Sequence, residues 1–203
     1  MVKPGEFVGS FFLVVLLSAV GSGSLEALLA SGIALTALLT MISGQDLIPT
    51  VTVARVFSGM TLKTSRAQVV ELLLSMCFQT LGALLAIYLT TWLLGLSAGV
   101  PLLGASMKGA AIRGFLITLI LSLGWLSKEG QLATGLSYFI AASTCSGNLD
   151  PALAINPAFV LGKCLHSAIA GNSVTIDELL LVILLVPLAG GLAGGFLLKF
   201  LSE

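Results

Sequence analysis

Six stretches of the sequence, 7–20, 27–42, 69–94, 112–126, 132–145 and 179–201, are nearly free of charge and are separated only by short polar or glycine-bearing breaks. Most are long enough, or nearly so, to cross a hydrocarbon core that needs ~20 apolar residues per helix. Of the 203 residues, 57% are hydrophobic and 9% charged, whereas a soluble domain carries about 25% charged residues. The solvent is therefore lipid. Lipid offers backbone polar groups no partners and no strand alternation is present, so the runs must be helices. Six crossings return both ends to one side of the membrane.

Charge sets orientation. Lys3, Arg55, Lys63, Arg66, Lys128 and Lys199 fall on the side of the termini and Lys108, Arg113 and Lys163 on the other. The positive-inside bias predicts cytoplasmic termini. Zero net charge and the lack of a basic cluster argue against a nucleic-acid partner and a polybasic lipid site. Residues 1–5 are too short for the basic region of a signal peptide and no cleavage site follows, so the first run is expected to be retained. Cys77, Cys145 and Cys164 show no ligand spacing and read as small apolar filler.

The chain repeats itself. Phe7, Ser10 and Leu13 match Phe115, Thr118 and Leu121 at an offset of 108, and Leu81-Gly82-Ala83 matches Ala189-Gly190-Gly191 at the same offset. Between them, Ser31-Gly32-Ile33 matches Thr134-Gly135-Leu136 at 103, and Leu47-Ile48-Pro49-Thr50 matches Leu149-Asp150-Pro151-Ala152 at 102. This divides one membrane domain into halves 1–94 and 111–203, joined by 95–110. Three spans per half invert the second copy relative to the first, as in several transport folds. Stretches 50–57 and 152–162 are too short to cross and too apolar for loops. They read as half-helices that re-enter the membrane, with Pro49 and Pro151 at their starts and Asp150 as an N-cap. Such backbone survives at membrane depth only when protein buries it or it lines a wet cavity.

These residues resemble the aquaporin (major intrinsic protein) family almost end to end. The first span has Glu6 four residues before Ser10. SGQDLIPTVTVARVFSG is similar to the family's first re-entrant loop, SGNLDPALAINPA to its second, FQTLGALLA to its third span and VPLAGGLAGG to its last. The resemblance implies an all-α membrane fold, six transmembrane helices around two re-entrant half-helices, commonly a homotetramer with a pore in each subunit. It also implies that asparagines of two Asn-Pro-Ala motifs donate hydrogen bonds at mid-pore, that the half-helix N-termini oppose cations there, and that an arginine three residues after the second asparagine narrows the outer mouth.

Departures fall on the sites themselves. The first motif is Ile48-Pro49-Thr50, a hydrocarbon in place of an amide. The second is Asp150-Pro151-Ala152, whose carboxylate only accepts hydrogen bonds. Leu153 stands at the arginine position, with Gly147 beside this loop. Gly114 replaces one of the two glutamates that brace the loops and Glu6 keeps the other. A literal Asn156-Pro157-Ala158 follows six residues beyond Asp150 as an alternative second motif, in which Phe159 takes the arginine position. Counting back from the motifs places Leu28 and Tyr138 at the mouth, while counting forward from Gly135 places Ala142 there. His166 reads as solvated in a polar loop, and Gly190, Gly191, Gly194 and Gly195 as close helix packing.

No nucleophile elbow, phosphate loop or metal cluster is present in the sequence, so neither an enzyme nor a cofactor is implied. Two functions remain. One is a channel for water or small uncharged, glycerol-like solutes, its centre apolar at Ile48 and Leu153 and its cation barrier weakened by Asp150. The other is a non-conducting structural subunit of a larger membrane complex. The expected partners are the bilayer, the solute and either copies of the chain or that complex.

Overall fold

In the computed structural model, residues 4–20, 24–42, 46–59, 66–95, 107–127, 130–143, 156–174 and 176–202 are described. Among them the chain is entirely helical: α1 Pro4–Val20, α2 Leu25–Met41, α3 Pro49–Ser58, α4 Arg66–Leu94, α5 Met107–Leu126, α6 Gly130–Ser143, α7 Pro157–Ile169 and α8 Glu178–Ser202. The charge-free runs become α1, α2, α4, α5, α6 and α8. The helices α4, α5 and α8 are long and apolar enough to cross a membrane, and α1 and α2 are shorter apolar helices. Their outer faces expose Leu73, Leu85, Ile112, Leu116, Leu185 and Phe200, the surface a lipid solvent requires. Cys77 is exposed on α4 rather than acting as filler, and Cys145 lies outside the described residues.

Local chemistry explains the breaks. Ser24 caps α2 by accepting from the Ala27 N–H at 3.2 Å. Proline opens both short helices, α3 at Pro49 and α7 at Pro157, where a missing N–H leaves nothing unsatisfied. The turn after α7 passes through Gly171 at φ +79°, a left-handed conformation that favours glycine.

Packing repeats in the same order in both halves. The most extensive pairs are α1 with α4 and α5 with α8, and each short helix lies on the long helix of the other half, α3 on α8 and α7 on α4. The register of these contacts is a constant 108. Gly82 sits against the Phe7 carbonyl as Gly190 sits against the Phe115 carbonyl. Ala54 of α3 lies on Gly195, and Gly162 of α7, its equivalent, lies on Ile87. Pro49 is therefore equivalent to Pro157 and not, as the local sequence match at 102 suggested, to Pro151. A Cβ at Gly191 or Gly195 would overlap the Thr50 or Ala54 carbonyl, so these glycines set how closely α3 can approach α8.

Candidate functional site

The site is built where the two short helices begin. Ile48 is the N-cap of α3: its carbonyl accepts from Val51 N at 3.1 Å and Thr52 N at 3.2 Å, and its hydrocarbon side chain makes no cap bond. The N-cap of α7 is Asn156. Its Oδ1 accepts from the backbone N–H of Ala158 at 3.1 Å and of Phe159 at 3.3 Å, filling two of the donors that every helix start leaves open. That fixes the carboxamide and leaves Nδ2 buried with no hydrogen-bond partner. A half-helix over 152–162 was expected, whereas the described helix runs Pro157–Ile169. Asp150, Pro151, Ala152, Leu153 and Gly147 lie outside the described residues.

Four residues beyond Phe159, and so on the same helical face, Lys163 places its Nζ 5.4 Å from the Phe159 ring centroid. Leu161 and Leu165, two residues off that register, point the other way and are exposed, so the Phe159–Lys163 face looks into the bundle. Leu28 and Tyr138, both 2% exposed, join Ile48 and Phe159 in one apolar core. The side chain of Ala142 is not described. Ile48 and Asn156 are each 0% exposed.

The loop entering α3 is held by a polar network on α1 and α4. Arg55 Nε donates to Asp46 Oδ1 at 2.7 Å, Gln79 Nε2 donates to the Asp46 carbonyl at 2.7 Å and to Thr52 Oγ1 at 2.8 Å, and Ser10 Oγ donates to the Gln79 carbonyl at 2.8 Å. Asp46 is thus tied through both its side chain and its backbone, two residues before the Ile48 cap. Beside it lies a cavity of about 220 Å³ between α1, α3 and α4, lined in part by Glu6, Asp46, Thr52, Arg55, Glu71 and Ser75. Glu6, only 2% exposed, is one of its lining residues. Among the described residues no three His, Cys, Asp or Glu side chains lie close enough together to hold a metal ion.

Among the described residues the second half shows no matching network, and its side chains differ at the equivalent positions. At the constant offset Glu6 becomes Gly114, Gln79 becomes Pro187, Thr52 becomes Val160 and Arg55 becomes Lys163. His166 corrects a further expectation: it is part of α7, 6% exposed, with its ring edge-on to Tyr88 of α4 at 4.3 Å. The sequence left Asn156-Pro157-Ala158 as the alternative to Asp150-Pro151-Ala152, and it did not reveal the pairing of Asp46 with Arg55. The signal for the first was present, because an offset of 108 carries Pro49 onto Pro157.

The fold is the aquaporin-like one: an all-helical membrane bundle with two short helices seated on the long helices of opposite halves. The chain is similar to the X-ray structure of the aquaglyceroporin from Plasmodium falciparum, with a TM-score of 0.71 and 20% identity over 96% of this chain and 93% of that one. At that identity the likeness is one of fold. No protein-family model matches the sequence, and no curated protein does.

Proposed function

We propose that the chain is an integral membrane channel for passive passage of water or small uncharged, glycerol-like solutes, with Ile48-Pro49-Thr50 and Asn156-Pro157-Ala158 as its two pore motifs. The observation that carries this reading is the Asn156 carboxamide, whose Oδ1 is consumed by capping and whose buried Nδ2 is left as a donor at the start of α7. Native structures leave few buried donors unmatched, and a passing hydroxyl or water oxygen would match this one. Ile48 supplies hydrocarbon at the equivalent tip. A polar solute that finds one donor instead of two loses ~1–3 kcal/mol of compensation, so water should pass about 5- to 150-fold more slowly than through a two-donor centre. Phe159 and Lys163 form the α7-side lining in this reading, with Leu28 and Tyr138 behind them. Glu6 braces the first loop, both termini are cytoplasmic, and the channel assembles as a homotetramer. The fold of an aquaglyceroporin supports it.

Stopped-flow light scattering of liposomes carrying the purified protein is the test. Water and glycerol permeabilities equal to those of empty liposomes would sink the channel. One observation favours the second reading, a non-conducting subunit of a larger membrane complex: Ile48 and Asn156 expose no surface to a water-sized probe. On that reading every solute gives the empty-liposome rate, and Ile48→Ala, which opens the centre, leaves it there.

A further inference from the structure

Along α4, a mostly apolar helix, Gln68, Glu71, Ser75 and Gln79 recur every three or four residues and so share one face. Polar groups on a helix in lipid turn towards protein or a wet cavity, and the first three of these line the cavity between α1, α3 and α4. Seating one long helix on another does not require them. At the offset of 108 the same positions are Ile176, Leu179, Ile183 and Pro187, and α8 packs on α5 as α4 packs on α1. Gln79 is used by the scaffold, donating to the Asp46 carbonyl and to Thr52. Ser75 is not. It is 8% exposed, and among the described residues its hydroxyl has no hydrogen-bond partner, whereas Thr80 and Thr90 on the same helix donate to the carbonyls four residues back. Native structures leave few buried hydroxyls unmatched, and this one lies in the wall of a cavity.

Among the described lining residues, the carboxyl groups of Glu6, Asp46 and Glu71 stand against one guanidinium, that of Arg55, so the walls carry a surplus of acceptors. No three of these acidic groups lie close enough together to hold a metal ion. An ion with N–H donors spread over its own frame can reach acceptors that a single metal cannot. We propose that this cavity is a binding site for a small organic cation with several N–H donors, of the alkylguanidinium class, which donates to the lining carboxylates and to the Ser75 hydroxyl. The volume of about 220 Å³ admits such an ion, given that a water occupies ~30 Å³. A carboxylate offers roughly four acceptor positions, so the bond from Arg55 to Asp46 leaves room for another donor. Bonds of this charge-assisted kind are the stronger ones. Asp46 also carries the carbonyl that Gln79 holds, two residues before Ile48, so an occupant fastens the loop entering α3 and stabilises the fold. The site does not depend on whether the chain conducts.

Methylguanidinium chloride at millimolar concentration is the probe, with the full chain in detergent and tetramethylammonium chloride, equal in charge but without N–H donors, as the control. Saturation-transfer NMR reads the methyl signal of the probe, and thermal unfolding reads its effect on the fold. Methylguanidinium should receive saturation and raise the unfolding midpoint saturably, as a ligand of the folded state does, and tetramethylammonium should do neither. Glu71→Gln, at an exposed position, should weaken binding about tenfold or more through the lost charge-assisted bond. Ser75→Leu fills the cavity and should abolish binding, and Ser75→Ala, which adds no bulk, should weaken it several-fold even if the leucine variant does not fold. Equal responses to the two cations would reduce the effect to charge screening and overturn the proposal. So would methylguanidinium binding that is unchanged in both Glu71→Gln and Ser75→Ala, which places the ion elsewhere. A midpoint raised by magnesium chloride and not by methylguanidinium would overturn it in favour of a metal.

Discussion

The two halves of the molecule have kept opposite parts of one design. The half containing α1 to α4 retains the scaffold, with Asp46 tied by Arg55 and Gln79, Ser10 bonded to the Gln79 carbonyl and Glu6 buried nearby, but its short helix ends in the hydrocarbon of Ile48. The half containing α5 to α8 retains the polar tip, Asn156, and has Gly114 and Pro187 where the scaffold groups stand in the first. In the proposed channel, holding a broken stretch of backbone in the membrane and presenting a donor to a solute are therefore separable tasks. The first needs partners for the loop's backbone, from any neighbouring helix. The second needs one side chain at a helix start, and capping by Oδ1 orients it without outside help.

The largest expected effect tests the shared part of that design. Gly191 touches the Thr50 backbone, and its equivalent at an offset of 108 is Ala83, which already carries a Cβ beside Gly162. Gly191→Val should destabilise the fold by ~3 kcal/mol or more, since backbone must move to admit the side chain, whereas Ala83→Val should cost ~1–3 kcal/mol as ordinary overpacking. Thermal unfolding in detergent, followed by size-exclusion recovery, ranks the two. Equal losses would show that α3 is not seated by its glycines.

Next comes the scaffold. Gln79→Leu removes two donated bonds and leaves the Asp46 carbonyl and Thr52 hydroxyl buried without them, a loss of ~2–4 kcal/mol. Pro187→Gln at the equivalent place should change stability by less than ~1 kcal/mol, a gain of helix propensity offset by a buried amide with no Asp46 to serve. If Pro187→Gln stabilises as much as Gln79→Leu destabilises, the second half has a hidden network and the contrast collapses.

The long helices were legible because a charge-free run in lipid has one solution. Pro49 was legible too, being the only proline near its break. The second short helix was not, since Asp150-Pro151 and Asn156-Pro157 both pair a good cap with a proline. The local match of Leu47-Ile48-Pro49-Thr50 with Leu149-Asp150-Pro151-Ala152 favoured the first of these, and only the packing register of Gly82 with Phe7 and Gly190 with Phe115 decides for an offset of 108. His166 looked solvated because Ser167, Asn172 and Ser173 surround it in sequence. Its actual neighbour, Tyr88, lies on another helix, which no local pattern encodes. The Asp46–Arg55 pair was hidden for a different reason: Asp46 lies before the helix start and Arg55 inside α3, so no helical spacing joins them.

A smaller, functional effect separates donor from scaffold. Ile48→Asn places a second carboxamide on the half with the intact network, where Thr50 N and Val51 N can bond its Oδ1 as Ala158 N and Phe159 N bond that of Asn156. Water permeability should rise about tenfold, corresponding to ~1.4 kcal/mol, while Asn156→Leu should lower it by a similar factor and cost ~1 kcal/mol of stability through the lost cap. A rise with Ile48→Asn but no fall with Asn156→Leu would move the donor role away from α7.

The smallest difference concerns the repeat-equivalent cations Arg55 and Lys163. Arg55 is bonded to Asp46 at 2.7 Å, with side-chain exposures of 46% and 6%. Half-exposed guanidinium is screened by solvent, so Arg55→Met should cost only ~1–2 kcal/mol, most of it from leaving the Asp46 carboxylate buried beside a hydrocarbon. Lys163 lies over the Phe159 ring at 5.4 Å, and Lys163→Met keeps the contact through its thioether while losing the charge. That change should cost ~0.5–1 kcal/mol. Raising the salt concentration should narrow the gap between wild type and Arg55→Met more than the gap for Lys163→Met, because ions reach an exposed pair more readily than an ammonium lodged on an inward ring. Equal salt responses would mean that the two cations sit in equivalent surroundings, and the contrast between the halves would then stop at the helix tips.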